Sequence, residues 1–289
     1  MTSALRAQRA FVVTGTGTDV GKTLVGTALL RALRSRGVST GALKPFETGC
    51  HSQTVLGGVD RPDSDAGRLA RAAGLAPGHI LPGFFRAELP LAPYAALLGA
   101  DATLGELGDA GAASASRRVQ YTNTATISLP CIQAACVSFA ESFDVTLVEG
   151  AGGVAVPLTA RHTSLDFFSQ LGWPLILIAA DQLGTLSHTL TACWALRSAR
   201  LPLLAVVLVR PPAVAGAETR LRHEGARAAL AAPAEDPSQV LNAPILREYL
   251  DPLPVFSVAG AALIADPDGG ALPGALVDLC MPQRPPWSL

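Results

Sequence analysis

Between the apolar run Ala10-Phe11-Val12-Val13 and a helix-like stretch from Leu24 to Leu33 stands Gly15-Thr16-Gly17-Thr18-Asp19-Val20-Gly21-Lys22-Thr23. A strand, a glycine-rich turn and a helix opening at Gly-Lys-Thr commit this part of the chain to an α/β unit. Its backbone N–H groups and positive helix end converge on an anion. The lysine reaches the outer phosphates and the threonine hydroxyl can ligand Mg²⁺, so the loop predicts a nucleoside triphosphate. The spacing is a variant: G-x-x-x-x-G-K-[ST] would put glycine where Thr16 stands, and Gly15 comes one residue early. Taken alone, the stretch also reads as an ordinary strand-to-helix turn with a chance Gly-Lys-Thr.

Lysine usage adds a second constraint. Of the 22 basic residues only Lys22 and Lys44 are lysine, so each is a candidate for a task that needs a compact ammonium rather than a planar guanidinium. The pattern predicts strand 1 from Ala10 to Thr14, helix 1 from Thr23 to Ser35, and a second strand from Ser39 to Leu43. Lys44-Pro45 ends that strand, because proline cannot donate to a sheet ladder, and Lys44 projects from the carboxyl edge where open parallel sheets bind ligands. Residues 46–61 read as an active-site loop. Asp65 then stands at the start of a helix from Ala66 to Ala73, where a cap and a ligand are equally good readings.

Further on, Ile80 to Phe85 reads as a short extended segment, and Ile132 to Phe143 as an amphipathic helix. Asp144 to Glu149 is a strand ending on a carboxylate, followed at once by Gly150-Ala151-Gly152-Gly153. A strand-terminal carboxylate facing a phosphate loop is the Walker-B position for Mg²⁺, although a plain acidic turn has the same local sequence. Strands at Pro174–Ala179 and Leu203–Val209 flank a helix from Thr185 to Ser198, and Leu253 to Val258 is a candidate last strand. This alternation predicts an α/β fold with a mostly parallel central sheet and helices on both faces.

Composition agrees with a globule: 49% of residues are hydrophobic and 16% charged, the net charge is −1, and no apolar run reaches bilayer length. No basic stripe is present for nucleic acid and no polybasic patch for a membrane surface. The N-terminus lacks a signal peptide, so a cytoplasmic protein is expected, and the five cysteines, odd in number and without CxxC, are expected as thiols. The whole of 1–289 is read as one domain, with an Ala/Gly/Asp/Ser-rich insert at 99–124 and a proline-rich, mostly irregular extension at 260–289. The insert's Tyr121 has no assigned role.

The ordered set T-G-T-G-T-D-V-G-K-T, A-L-K-P-x-x-T-G, S-D-A and V-E-G-A-G-G-x-x-x-P resembles the ATP-dependent dethiobiotin synthetases of biotin biosynthesis. That family, P-loop NTPase-like in fold, has its first loop glycine one position early, as here. The resemblance spans about Phe11 to Val209. It implies that ATP and CO₂ convert 7,8-diaminononanoate to dethiobiotin with release of ADP and phosphate, through a carbamate phosphorylated by ATP. It implies Lys22 and Lys44 as catalytic; Asp19, Val20, Gly21, Lys22, Thr23, Leu24, Asp65, Glu149, Gly150, Ala151 and Gly152 as the ATP site; and Thr23, Asp65 and Glu149 as Mg²⁺ ligands. Thr16, Thr18 and Thr48 map near the substrate. Gly184, Thr185 and Ser187 map to a helix entrance that holds the substrate carboxylate near a homodimer interface; His188 beside them reads either as support for the turn or as a proton-transfer group. Where the family has an asparagine after the strand ending at Val209, Arg210 stands instead; arginine carries no acceptor and cannot reproduce an amide's pairing with adenine. Either Arg210 stacks on the base or the backbone around Val258 to Gly260 supplies the base contacts; a surface arginine after a strand is the plain alternative.

Two other readings bear comparison. An amide-forming synthetase similar to the cobyrinate amidases would normally carry a glutaminase with a nucleophilic cysteine, for which no domain fits after residue 210. A ParA- or MinD-like switch ATPase would have an additional lysine near the start of the loop, which Gly15-Thr16-Gly17-Thr18 lacks, and a basic or amphipathic anchor.

Overall fold

The computed structural model describes residues 10–52, 54, 59–76, 78, 81, 83–101, 127–211 and 236–282. In chain order the elements are β1 (Ala10–Gly15), α1 (Lys22–Ser35), β2 (Thr40–Leu43), β3 (Phe46–Thr48), α2 (Asp65–Ala72), β4 (Phe85–Ala87) and α3 (Pro93–Asp101). They continue with α4 (Leu129–Ala140), β5 (Val145–Gly153), α5 (Ser164–Leu171), β6 (Leu175–Ala180), α6 (Thr185–Ser198) and β7 (Leu203–Arg210). The last are α7 (Ser238–Leu250), β8 (Val255–Ala259), α8 (Gly260–Ala265) and α9 (Gly274–Cys280).

Six strands form one parallel sheet in the order β2-β5-β1-β6-β7-β8. Alternate residues face opposite ways, and both faces are apolar. Val12, Val148, Leu177 and Leu208 join one core with Ile132 of α4, Phe167 and Phe168 of α5, Cys193 of α6 and Leu246 of α7. Phe11, Val13, Leu147, Ile178 and Val207 join the other with Leu29 and Leu33 of α1, Leu69 of α2, Leu263 of α8 and Leu276 of α9. Strands buried on both sides are apolar at most positions, which is why they read as near-continuous runs; Thr14, Thr40, Thr146 and Glu149 are the buried polar exceptions in β1, β2 and β5.

The expected strands and helices are present with ends shifted by up to a few residues, except the extended segment expected from Ile80 to Phe85: only Phe85 is in a strand, β4, and residues 80 and 82 lie outside the described residues. The segment 46–61, expected as a loop, begins with β3, which pairs in parallel with β4 as a separate two-stranded sheet. Three helices went unforeseen, α3 among them, which continues to Asp101 and so takes in the start of the insert expected at 99–124. In α5 the Thr163 N–H donates to the Asp166 carboxylate at 2.6 Å, a cap for a helix only two turns long. In α7 an interior proline, Pro244, masks the helical pattern. The C-terminal extension is less irregular than expected, since α8 and α9 occupy much of it. Of the proposed insert at 99–124, residues 102–124, Tyr121 among them, lie outside the described residues. Cys50, Cys136, Cys193 and Cys280 are buried thiols, not halves of a disulfide framework. Among the described residues no helix is long and apolar enough to cross a membrane.

Candidate functional site

The sheet order puts β1 at the centre with β5 and β6 as neighbours, so the loop after β1 and the carboxylate of β5 emerge side by side. The early glycine has a steric cause. A Cβ at Gly15 would stand 2.7 Å from Val20 Cγ2 and 3.2 Å from Lys22 Cδ, so the loop can fold back over β1 only if that residue is glycine. Thr16 continues the β-ladder, its N–H donating to the Ile178 carbonyl at 2.9 Å. The loop's left-handed residues are Asp19 (φ 57°) and Gly21 (φ 97°). Gly21 is the N-cap of α1, and no side chain caps that helix, so its first N–H groups are open to an anion.

Lys22 folds back so that its ammonium donates to the Gly17 carbonyl at 2.7 Å. Burial pulls its pKa down to about 8, against the opposing pull of Glu149. Lys44 lies deeper, 6% exposed, and its Nζ donates to Glu149 Oε1 at 2.5 Å and Asp65 Oδ2 at 2.9 Å. Burial works against its charge, but Glu149, Asp65 and Glu47 outweigh that and hold the ammonium above its ordinary value. Glu149 is fully buried, and Oε1 also accepts from the Thr23 hydroxyl at 2.9 Å. Burial would raise the Asp65 pKa, yet Lys44 and Thr23 keep it below the usual carboxylate range.

The two readings of Asp65 separate here. Ser64 is the cap: its Oγ accepts from the Gly67 N–H at 3.0 Å, and the Asp65 side chain is directed to Lys44 instead. The N–H groups of Asp65 and Ala66 are taken up by the carboxylate of Glu47, at 2.8 and 3.3 Å. Glu47 is itself buried against Arg86, which is 1% exposed and forks Asp60 at 2.7 and 2.8 Å. Sequence reasoning passed over Glu47, Asp60 and Arg86. The available signal was a carboxylate between Phe46 and the motif residue Thr48 in a three-residue strand.

These groups line a cleft of about 560 Å³ that includes Thr18, Asp19, Gly21, Lys22, Thr23, Leu24, Lys44, Thr48, Asp65, Ala151 and Gly152. Most of the expected ATP and metal residues thus line one space; Val20, Glu149 and Gly150 are buried and do not line it, but Glu149 bonds Thr23 and Lys44, which do. Arg210 does not line the cleft. It is exposed at the end of β7, one residue beyond Val209, against whose side chain Gly21 packs. Gly184, Thr185 and Ser187 are also outside it, at the start of α6, where Gly184 (φ 93°) is the N-cap, Thr185 is buried and Ser187 and His188 are exposed.

A divalent cation fits the donors present. Thr23, Asp65 and Glu149 offer hard oxygen donors, linked by the Thr23–Glu149 hydrogen bond and the shared Lys44 ammonium, and Glu149 Oε2 is buried without a hydrogen-bond partner. Among the described residues no three His, Cys, Asp or Glu side chains gather, so a small octahedral ion here would complete its shell with phosphate and water.

Comparison with known proteins bears on the same region. The AAA domain family matches residues 9–238. An ATP-dependent dethiobiotin synthetase of Caulobacter sp. (strain K31) is 40% identical over 202 residues, 69% of this chain and 75% of that protein. That of Caulobacter vibrioides (strain NA1000 / CB15N) is 34% identical over 94% of this chain and 99% of its own length. That of Anaeromyxobacter dehalogenans (strain 2CP-C) is 36% identical over 70% and 77%.

Proposed function

The chain belongs to the ATP-dependent dethiobiotin synthetase family, and we propose that the cleft around Lys22 and Lys44 carries out this ligase reaction in biotin biosynthesis. The observation that carries the assignment of roles is Lys44. The second of only two lysines, it is buried between Asp65 and Glu149 beside the phosphate loop. The neighbours and family membership favour neither the amidase-like nor the switch-ATPase reading.

In the proposed sequence one amine of 7,8-diaminononanoate adds to CO₂ and loses a proton to give a carbamate. A carbamate oxygen attacks the γ-phosphorus of ATP and ADP leaves. The second amine then attacks the carbamoyl carbon of the mixed anhydride, expels phosphate and closes the ureido ring. The protein's part is positioning and neutralisation of negative charge. The loop N–H groups and Lys22 hold the phosphates; an anion there restores the full charge of an ammonium that burial has lowered. Lys44, already drawn toward the phosphate loop by two carboxylates, stabilises charge between carbamate oxygen and γ-phosphoryl group. Thr18 and Thr48 line the cleft on its proposed substrate side; Thr16, two residues before Thr18, is half-buried and does not line it. Thr23, Asp65 and Glu149 would hold Mg²⁺, which when bound neutralises phosphate charge.

Arg210 is proposed to stack on the base, and the α6 N-terminus at Gly184, Thr185 and Ser187 to receive the substrate carboxylate. Leu183, Trp194, Leu241 and Tyr249 are exposed apolar residues on or beside α6 and α7, which supports a homodimer formed through that side.

Incubation of the purified protein with ATP, Mg²⁺, bicarbonate and diaminononanoate is expected to yield dethiobiotin, with ADP release dependent on both diaminononanoate and bicarbonate. Absence of that product from folded protein overturns the assignment. Glu149→Gln removes a charged oxygen that now bonds Lys44 and Thr23. We expect it to raise the Mg²⁺ needed for half-maximal turnover by roughly 10–100-fold while the fold persists. Unchanged metal dependence would remove Glu149 from the site.

A further inference from the structure

Glu47 and Arg86 lie outside the reaction sequence above, yet each bonds the main chain of a residue inside it. β3 and β4 run parallel in a register that sets Glu47 opposite Arg86. Arg86 Nε and Nη2 fork Asp60, Nε stands 3.7 Å from Glu47 Oε2, and Nη1 donates to the carbonyl of Lys44 at 2.8 Å. Glu47 in turn accepts both N–H groups that open α2, those of Asp65 and Ala66. One buried charge cluster therefore holds Lys44 by its carbonyl and Asp65 by its N–H.

Neither group is placed there for want of an apolar alternative, because burying a carboxylate and a guanidinium is costly unless every partner is in register. Helix α2 would keep a conventional cap in Ser64 without Glu47. What Ser64 alone does not fix is the approach of the α2 end toward β2, since it bonds only within its own turn. Glu47 supplies that link across elements, and Arg86 fixes Glu47 relative to the Lys44 backbone.

We propose that Glu47, clamped by Arg86, is a positioning residue that sets where Asp65 stands relative to Lys44 and so tunes the cation site. The inference rests on the reading of Thr23, Asp65 and Glu149 as the groups that hold Mg²⁺. Glu47→Gln is the mild probe. It keeps the side-chain volume and one acceptor but turns an amide N–H toward one of the two backbone N–H groups, so the α2 end must shift. Arg86→Ala is less useful, because it leaves buried carboxylates uncompensated.

The test is calorimetric binding of ADP with and without Mg²⁺ to the parent, Glu47→Gln, Asp65→Asn and the double variant, each checked for folding by circular dichroism. In Glu47→Gln the extra ADP affinity conferred by Mg²⁺ is expected to shrink roughly 10-fold, with metal-free ADP affinity within about twofold of the parent. In the Asp65→Asn background the same substitution is expected to change nothing further, because its effect runs through Asp65. An equal loss in both backgrounds, or an unchanged Mg²⁺ contribution in folded Glu47→Gln, overturns the inference while leaving the metal reading intact. If Asp65→Asn itself leaves the Mg²⁺ contribution whole, the metal reading fails and this inference with it. Should Glu47→Gln not fold, Asp60→Asn loosens the fork on Arg86 without removing a hydrogen bond to α2. It is expected to weaken the Mg²⁺ contribution in the same direction, and no change would overturn the inference.

Discussion

Lys44→Arg is expected to leave a folded protein that has lost most of its turnover, by roughly 10²–10³-fold in kcat. The substitution keeps the positive charge, so it isolates shape. Lys44 Nζ meets Glu149 Oε1 and Asp65 Oδ2 within 2.5 and 2.9 Å, and the residue is almost completely enclosed. A guanidinium can neutralise both carboxylates and will satisfy their charge. It is broad and planar, however, and its donors point in a fixed fork. Placed between Asp65 and Glu149, it cannot also present a compact point charge to a transferring phosphoryl group. The expected signature is a thermal midpoint close to the parent's, ADP affinity largely kept, and kcat reduced at saturating ATP and diaminononanoate. Turnover near the parent's would mean that Lys44 serves only to neutralise the two carboxylates.

The residues expected to carry chemistry were legible because their positions follow from short-range patterns. Lys22 and Thr23 open a helix after a glycine turn, Lys44 precedes a proline at a strand end, and Glu149 ends an apolar strand before a glycine run. Each such pattern fixes a place at the carboxyl edge of a parallel sheet, and the sheet order then brings the places together. Asp65 was half legible: its position at a helix start was plain, but its role turned on Ser64 taking the cap, which a one-residue register decides. Glu47, Asp60 and Arg86 were not legible. Their meaning lies in contacts between residues 18 to 42 positions apart, for example Glu47 with the Asp65 N–H and Arg86 with the Lys44 carbonyl, which no local period encodes. The helix α5 left a readable trace in Thr163-Ser164-Leu165-Asp166, whereas the interior Pro244 of α7 actively pointed away from a helix.

Gly67→Ala reverses the sign that helix propensity would give, and the reversal tests how α2 is held. In an exposed helix interior, replacing glycine by alanine stabilises by about 1 kcal/mol. At Gly67 a Cβ would overlap the Arg61 carbonyl oxygen and stand 2.9 Å from Pro62 Cα. Those are backbone atoms, so no side-chain rotation relieves the clash. The Arg61 carbonyl is also fixed, since it accepts from the Ser64 hydroxyl at 2.8 Å, and Asp60 beside it is bound by Arg86. Relief requires either the 60–62 segment or the α2 end to move. Both motions strain the Ser64–Gly67 cap and shift Asp65 from Lys44. We therefore expect a net loss of at least about 2 kcal/mol in denaturant unfolding, overpacking outweighing the propensity gain. Turnover should fall further than stability alone explains, because the displaced carboxylate belongs to the site. A gain of stability with normal turnover would show that the start of α2 has slack, and that its close seating on residues 60–62 is not what holds Asp65 in place.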